Sequence, residues 1–249
     1  MSARIAVVTG GNRGLGAAAA RALAARGIRV VIASRGPADA VVEAISASGG
    51  EALALPLDVA AIDTFAEFAV SLRSAIAARW GAERIDVLVN NAGIGRFAPL
   101  EAITAEDFDA SIAANVRGPL FLIQALVPMM GDGGRVIDVT TSMTRHVSPA
   151  TSVYAASKAA LEALGRSLAS ELGPRGIRIV SVAPGPTATD FNGGAMRDDD
   201  GLRGVLAERT ALGRAGLPEE IGDAIAAIAS DDLRWLTAER IEVSGGAFL

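Results

Sequence analysis

Short apolar runs rich in Val and Ile recur along the chain, and each is followed by a longer segment in which Ala and Leu mix with Arg and Glu. The runs are RIAVV (4–8), RVVIAS (29–34), EALALP (51–56), IDVLVN (85–90), RVIDVT (135–140), GIRIVSVA (176–183) and RIEVS (240–244). Their length and β-branched content predict strands, and their nearly continuous apolar character is that of strands covered on both faces. The segments between them predict helices over 14–26, 38–47, 62–79, 104–114, 117–130, 153–172 and 218–230. Strand and helix in alternation imply βαβ units around a parallel sheet. No composition break, repeat or Pro/Ser-rich linker divides the chain, so the pattern predicts one domain over 1–249. Residues 191–210, FNGGAMRDDDGLRGVLAERT, break the rhythm with glycines, an acidic triplet and a weak helical pattern. They are expected to form a mobile insertion over a substrate site, with a solvated surface excursion as the competing reading.

Composition narrows the function. Apolar residues make up 51% of the 249 positions and charged residues 20%, enough for a sizeable core and too apolar for a disordered chain. The formal charge of −5, with Lys158 the only lysine and the arginines scattered, argues against a nucleic-acid partner. The absence of cysteine removes disulfides and thiolate chemistry and fits a reducing compartment. His146 is the only histidine, which excludes multi-histidine metal sites. The N-terminus has no long apolar h-region and no uninterrupted apolar run reaches bilayer length, so the expectation is a cytoplasmic protein with no membrane partner.

The first strand runs into TGGNRGLG (9–16), where a helix begins. Gly10, Gly14 and Gly16 allow a tight turn and close backbone approach, Asn12, Arg13 and Leu15 complete the loop, and the helix N-terminus offers unpaired N–H groups to a pyrophosphate. An acid about 20 residues beyond such a loop holds the ribose of NAD, whereas an arginine accommodates the phosphate of NADP. The second strand ends in Ser34 and Arg35 with no acid, and Arg13 adds a second cation, so NADP(H) is the expected cofactor. Tyr154, the only tyrosine, stands four residues before Lys158 in YAASK, a spacing that puts both on one helix face. A cation beside a phenol lowers its ordinary pKa of about 10 toward the range where it exchanges protons.

These motifs, with DV at 58–59, NNAG at 90–93, Asn115 in NVRG, PGPTATD at 184–190, GLPEEI and IEVSGG, resemble the short-chain dehydrogenases/reductases over essentially the whole chain. The resemblance implies a single doubly wound α/β Rossmann-type domain, its seven-stranded parallel sheet ordered 3-2-1-4-5-6-7 with helices on both faces. It implies that Asp58 and Val59 face the adenine, and that Asn90, Asn91, Ala92 and Gly93 support the cofactor and central strand. Pro184, Gly185, Thr187 and Thr189 would lie near the nicotinamide or phosphates, although Thr189 could equally cap a helix. Tyr154 would be the acid/base, Lys158 would bind the ribose and tune the phenol, and Asn115 would hold a water in a proton relay.

The polarising hydroxyl of that family stands most often thirteen residues before the tyrosine, which is Thr141, while Ser142 is twelve before it. Serine is the usual residue type, so Ser142 is expected and Thr141 is the alternative. His146 either lines the substrate mouth or is an exposed loop residue. Ser244 replaces an acid common in the family, which predicts a missing local hydrogen bond, and Ala238 stands where glycine is usual. The implied reaction interconverts a small-molecule ketone or aldehyde and an alcohol, in a homotetramer or homodimer. A 3-oxoacyl-[acyl-carrier-protein] reductase is the enzymatic alternative, and a non-catalytic NADP(H) sensor or scaffold is the alternative of another class.

Overall fold

The computed structural model describes residues 3–249, apart from the side chains of Asn192 and Ala195. Seven parallel strands, β1 (Ile5–Thr9), β2 (Arg29–Ser34), β3 (Ala52–Pro56), β4 (Ile85–Asn90), β5 (Met130–Val139), β6 (Arg178–Pro184) and β7 (Glu239–Val243), form one sheet in the order β3-β2-β1-β4-β5-β6-β7. This is the expected doubly wound topology. Side chains alternate across each strand, so the sheet builds two apolar layers. On one face Ala6, Val8, Val30, Ile32, Val87, Val89 and Ile137 meet helices α1 (Gly14–Ala25), α2 (Asp39–Ala47) and α9 (Pro218–Ile228). On the other, Ile5, Val7, Val31, Leu88, Val136 and Ile179 meet α3 (Phe65–Trp80), α5 (Gly118–Leu126) and α6 (Ser152–Leu172). Helices α1 and α9 approach so closely that a Cβ on Gly222 would lie 2.7 Å from the Ala18 backbone, which explains the small residues on both.

Two segments differ from the sequence expectation. Helix α4 (Ala105–Ile112) does not break before α5: the two are joined by a π-turn over Ala113–Arg117. A Cβ on Gly118 would lie 2.1 Å from the Val59 carbonyl oxygen, so this glycine lets the loop after β3 press against the helix. The run Ala105–Met129 is long and apolar enough, by length and composition alone, to span a bilayer. Here its apolar residues Leu122, Ile123 and Leu126 are buried against the sheet. Residues 191–210 are largely helical, with a 3₁₀ turn Phe191–Gly194 followed by α7 (Ala195–Asp198) and α8 (Asp200–Glu208). The acidic triplet explains this: Asp199 caps α8 by accepting from the Leu202 N–H at 2.9 Å, while Asp198 and Asp200 pair with Arg197 and Arg203.

The C-terminal tail runs back along the end of α8. Ala211 N–H donates to Gly246 O at 3.0 Å, Leu212 N–H to Gly245 O at 3.1 Å, and Phe248 N–H to Arg209 O at 2.7 Å. The hydrogen bond expected to be missing at Ser244 is present, because its hydroxyl accepts from Ala247 N–H at 3.2 Å and donates to Glu242 Oε1 at 2.7 Å. Ala238 does carry strain, with φ of 60° in the left-handed region. That conformation costs a non-glycine residue about 1–2 kcal/mol, against about 0.5–1 kcal/mol of chain entropy that glycine forfeits on folding. Ala238→Gly should therefore raise the unfolding free energy by up to about 1 kcal/mol, read as a higher urea midpoint at unchanged m-value.

Candidate active site

A cleft of about 940 Å³ opens along the carboxyl ends of β1, β4, β5 and β6, where a doubly wound sheet is free of covering helices. One end is built by the turn between β1 and α1. Gly10 and Gly14 have φ of 64° and 52°, and a Cβ on Gly16 would lie 2.2 Å from the Gly10 carbonyl oxygen, so the turn needs glycine at all three. No side chain caps α1 at Arg13, leaving the first N–H groups of that helix for a ligand beside the turn. Thr9, which the motif reading passed over, ties this turn to the next: its hydroxyl oxygen accepts from the N–H groups of Asn91 at 3.0 Å and Ala92 at 2.9 Å. Asn91 completes the stitch with Nδ2 donating to Thr9 O at 2.9 Å and Gly10 O at 3.3 Å. The Asn91 side chain thus braces the glycine turn at the edge of the cleft that it lines.

Arg13, Ser34, Arg35, Asp58 and Val59 all line this end, together with Asn12, Leu15 and Gly93. Both arginines are exposed. Arg35 Nη1 lies 3.9 Å from Asp58 Oδ2, so the expectation of no carboxylate near that cation is corrected in space: the acid comes from the loop after β3. The Arg35 side chain is 72% exposed, and at that exposure a single long ion pair leaves it free to turn toward a phosphate. Ser34 Oγ donates to Gly36 O at 2.8 Å, and Arg13 Nη1 reaches Asp190 O at 3.4 Å.

At the other end, α6 carries Tyr154 and Lys158 on its buried face, 7% and 3% exposed. Lys158 Nζ donates to Val139 O at the end of β5 at 2.7 Å. Burial pushes the lysine down to about 8, with Asp138 opposing the shift. The phenol behaves differently from the sequence expectation. Burial pushes Tyr154 up to about 12, with the Thr141 side chain opposing the shift.

Two hydroxyls stand near the phenol. Thr141 is extended at the end of β5, at φ −162° and ψ 152°, and Arg240 Nη2 fixes its carbonyl at 3.2 Å. Ser142 also lines the cleft, but it begins the 3₁₀ turn Ser142–Thr144, and its carbonyl accepts from Arg145 and His146 N–H at 3.0 and 3.1 Å. Thr141, thirteen residues before the tyrosine, and Ser142, the serine expected from residue type, both line the cleft beside Tyr154.

Asn115 is fully buried in the π-turn, and its side chain is a brace. Oδ1 accepts from Ile94 N–H at 2.9 Å, while Nδ2 donates to Ile94 O at 2.9 Å and Ser157 Oγ at 3.0 Å. Both amide hydrogens are committed to protein, so this side chain positions its neighbours, and only an acceptor oxygen is left to meet the expected water. Ser157 continues the chain by donating to Tyr154 O at 2.7 Å, a role that a serine inside YAASK gave no reason to expect. Thr187 and Thr189 both line the cleft. Thr187 Oγ1 donates to Gly185 O at 3.0 Å, and Thr189 accepts from Phe191 N–H at 3.3 Å, capping the 3₁₀ turn as the alternative reading had it. Pro184 ends β6, and a Cβ on Gly185 would lie 2.6 Å from Ser244 Cβ.

Beyond Tyr154 the cleft wall is aromatic. Phe97 meets the phenol edge-on with ring centroids 5.3 Å apart, and Phe191 lies 5.6 Å from it. His146 is half-buried on the wall, not a free loop residue. Its Nε2 is 3.0 Å from Glu242 Oε1 and its ring stacks on Phe248 at 5.6 Å. Met196, Leu202 and Leu206 of the helical insertion complete the mouth. Among the described residues no group of His, Asp and Glu is arranged to hold a metal ion.

Comparison with known proteins agrees with this geometry. A family profile described as enoyl-(acyl carrier protein) reductase matches residues 10–247. An uncharacterised oxidoreductase of Methylorubrum extorquens is 41% identical over 249 residues, covering 99% of this chain and 98% of its own. Versicolorin reductase 1 of Aspergillus parasiticus is 35% identical, covering 100% of this chain and 97% of its own. Among solved structures, the angucycline C-6 ketoreductase LanV with bound NADP superposes with a TM-score of 0.92 at 36% identity, over 98% of this chain and 95% of that one. The same enzyme has also been solved with NADP and rabelomycin. The shared sheet order, the glycine turn and the matches along the full length place this chain in the short-chain dehydrogenase/reductase family of oxidoreductases.

Proposed function

We propose that this protein is an NADP(H)-dependent carbonyl reductase for a bulky, planar, largely uncharged ketone. The observation that carries the reading is the continuity of one cleft, from the glycine turn and Arg13/Arg35 to a buried Tyr154 and Lys158 on one face of α6. Bound NADPH would supply the hydride. Gly10, Gly14, Gly16 and the α1 N-terminus would hold its pyrophosphate, Arg13 and Arg35 its 2′-phosphate, and Asp58 and Val59 its adenine. LanV, solved with NADP, supports this cofactor.

Chemistry at the far end is assigned to four side chains. A phenol pushed up to about 12 is in its acid form at neutral pH, ready to give its proton to a carbonyl oxygen that gains charge as hydride arrives at carbon. Thr141 donates a hydrogen bond to the same oxygen, where it acts most strongly on the charged transition state. Lys158 holds the ribose and replenishes positive charge behind the phenol. Asn115 positions Tyr154 through Ser157 and the Ile94 backbone.

The aromatic wall of Phe97, Phe191 and Phe248 suits a flat ring system better than a flexible carrier-bound thioester, and versicolorin reductase and the LanV–rabelomycin complex support that choice. The helical insertion over 191–208 would act as a lid on that wall. Self-association into a homodimer or homotetramer belongs to the same reading, through the exposed Phe108 and Phe121 of the α4–α5 face.

Three outcomes test it. Tyr154→Phe should retain NADPH affinity and lose about 10²–10⁴-fold in kcat for reduction of a planar aromatic ketone. Thr141→Val should cost about 10²–10³-fold in kcat, whereas Ser142→Ala should stay within a few-fold; the reverse ranking would return the hydroxyl to Ser142. In fluorescence titrations at fixed ionic strength, NADPH should bind more tightly than NADH, and an Arg13→Ala/Arg35→Ala double variant should close the gap.

A further inference from the structure

Directly behind Lys158 the sheet buries an acid that the proposed mechanism does not use. Asp138 of β5 and Asn90 of β4 are register partners in neighbouring strands and are 0% and 2% exposed. Asn90 Nδ2 donates to Asp138 Oδ1 at 2.8 Å. The other oxygen of each side chain, Asn90 Oδ1 and Asp138 Oδ2, is buried with no partner in the protein. Two buried acceptors left this way destabilise the fold. A carboxylate cannot relieve them, because neither oxygen carries a hydrogen. A proton on Asp138 Oδ2 would give that oxygen a hydrogen to donate, and the unpartnered Asn90 Oδ1 belongs to the amide already bonded to the same carboxyl.

The surroundings favour the neutral form. Helix α6 covers the pair with its single glycine, and a Cβ on Gly165 would touch Asp138 Oδ2 at 3.4 Å. On the other side stands Ser181 of β6, the register partner of Asp138 and itself 4% exposed. Lys158 is the charged group that acts on the acid. The next charges on this face, Glu162 and Arg240, are paired with each other at 3.0 Å. Burial pushes the Asp138 carboxyl up to about 6 against the pull of Lys158 and the Asn90 amide. A bond donated to Asn90 Oδ1 would exist only in the acid form and would raise it further.

We propose that Asp138 is held as a neutral acid paired with Asn90, and that this pair is a positioning element leaving the Lys158 charge undivided for the Tyr154 phenol. An ionised Asp138 would be a counterion behind the lysine, competing with a developing phenolate for the same cation. The neutral pair fills that space without competing, and Lys158 keeps the Val139 carbonyl as its protein partner. The functional half of this proposal rests on the carbonyl-reductase reading; the protonation half does not.

The test has two arms. In wild-type protein labelled with ¹³C at the aspartate carboxyls, one resonance should keep the acid shift up to about pH 7.5, far above the range where ordinary aspartates with pKa about 3.9 ionise. It should vanish in Asp138→Asn, whose amide can donate to Asn90 Oδ1 in the proton's place. That variant should keep kcat/KM for reduction within about threefold and move the alkaline, tyrosine-linked limb of its pH profile by less than about half a unit. Loss of every acid resonance below about pH 7 would overturn the neutral acid. A tyrosine-linked limb shifted down by about one unit or more would show that Asp138 had been sharing the lysine as a carboxylate. The labelled wild type decides the protonation state even if the variant does not fold, and it needs no substrate, so its failure is distinct from failure of the proposed reaction.

Discussion

The chemical end of this protein depends on how α6 satisfies its polar groups while lying on an apolar sheet. A lysine buried to 3% exposure must be hydrogen-bonded or it destabilises the fold by several kcal/mol, and the bond from Nζ to Val139 O meets that need. The bond also fixes the helix in rotation and height over the end of β5, and so places Tyr154, one turn earlier, at the floor of the cleft. A second chain of bonds runs from the Ile94 backbone through Asn115 and Ser157 to the Tyr154 carbonyl. It joins the loop after β4, the π-turn and α6. Placement of the phenol is therefore a property of three elements locked together, which explains why the π-turn exists where an ordinary helix would have carried Asn115 to a different face.

The same logic runs along the cleft. The sheet is a rigid ruler whose strand ends hold the glycine turn, stitched by Thr9 and Asn91, at a set distance from Tyr154. Polar side chains there serve mainly as ties between loops, and the groups left for a ligand are backbone N–H groups, two exposed arginines and the hydroxyls at the far end. Specificity falls to the parts built on top of the ruler: Phe97, the helical insertion and the C-terminal tail with Phe248.

Strands and helices could be read from the chain because each rests on local pattern, while the strand order and the end of the sheet that bears the site came from the resemblance carried by motifs a few residues long. What escaped the reading was through-space. Arg35 meets Asp58 from another loop, and Phe97, Phe191 and Phe248 converge from three distant segments with no shared period. Thr141 and Ser142 are adjacent and chemically alike, and both line the cleft. The acidic triplet looked like loop and proved to be a cap with flanking ion pairs. Asp138 did leave a signal, as an acid in the otherwise apolar strand RVIDV, but its meaning needed the register with Asn90.

The most direct test of the account is to incubate the protein with NADPH deuterated at the transferable C4 position and a panel of planar aromatic, small aliphatic and thioester-linked ketones, and weigh the products. The account predicts an alcohol from the planar aromatic ketones that carries one deuterium on the former carbonyl carbon. NADPH binding without deuterium in any product would contradict it and leave a cofactor-binding protein with no reductase activity.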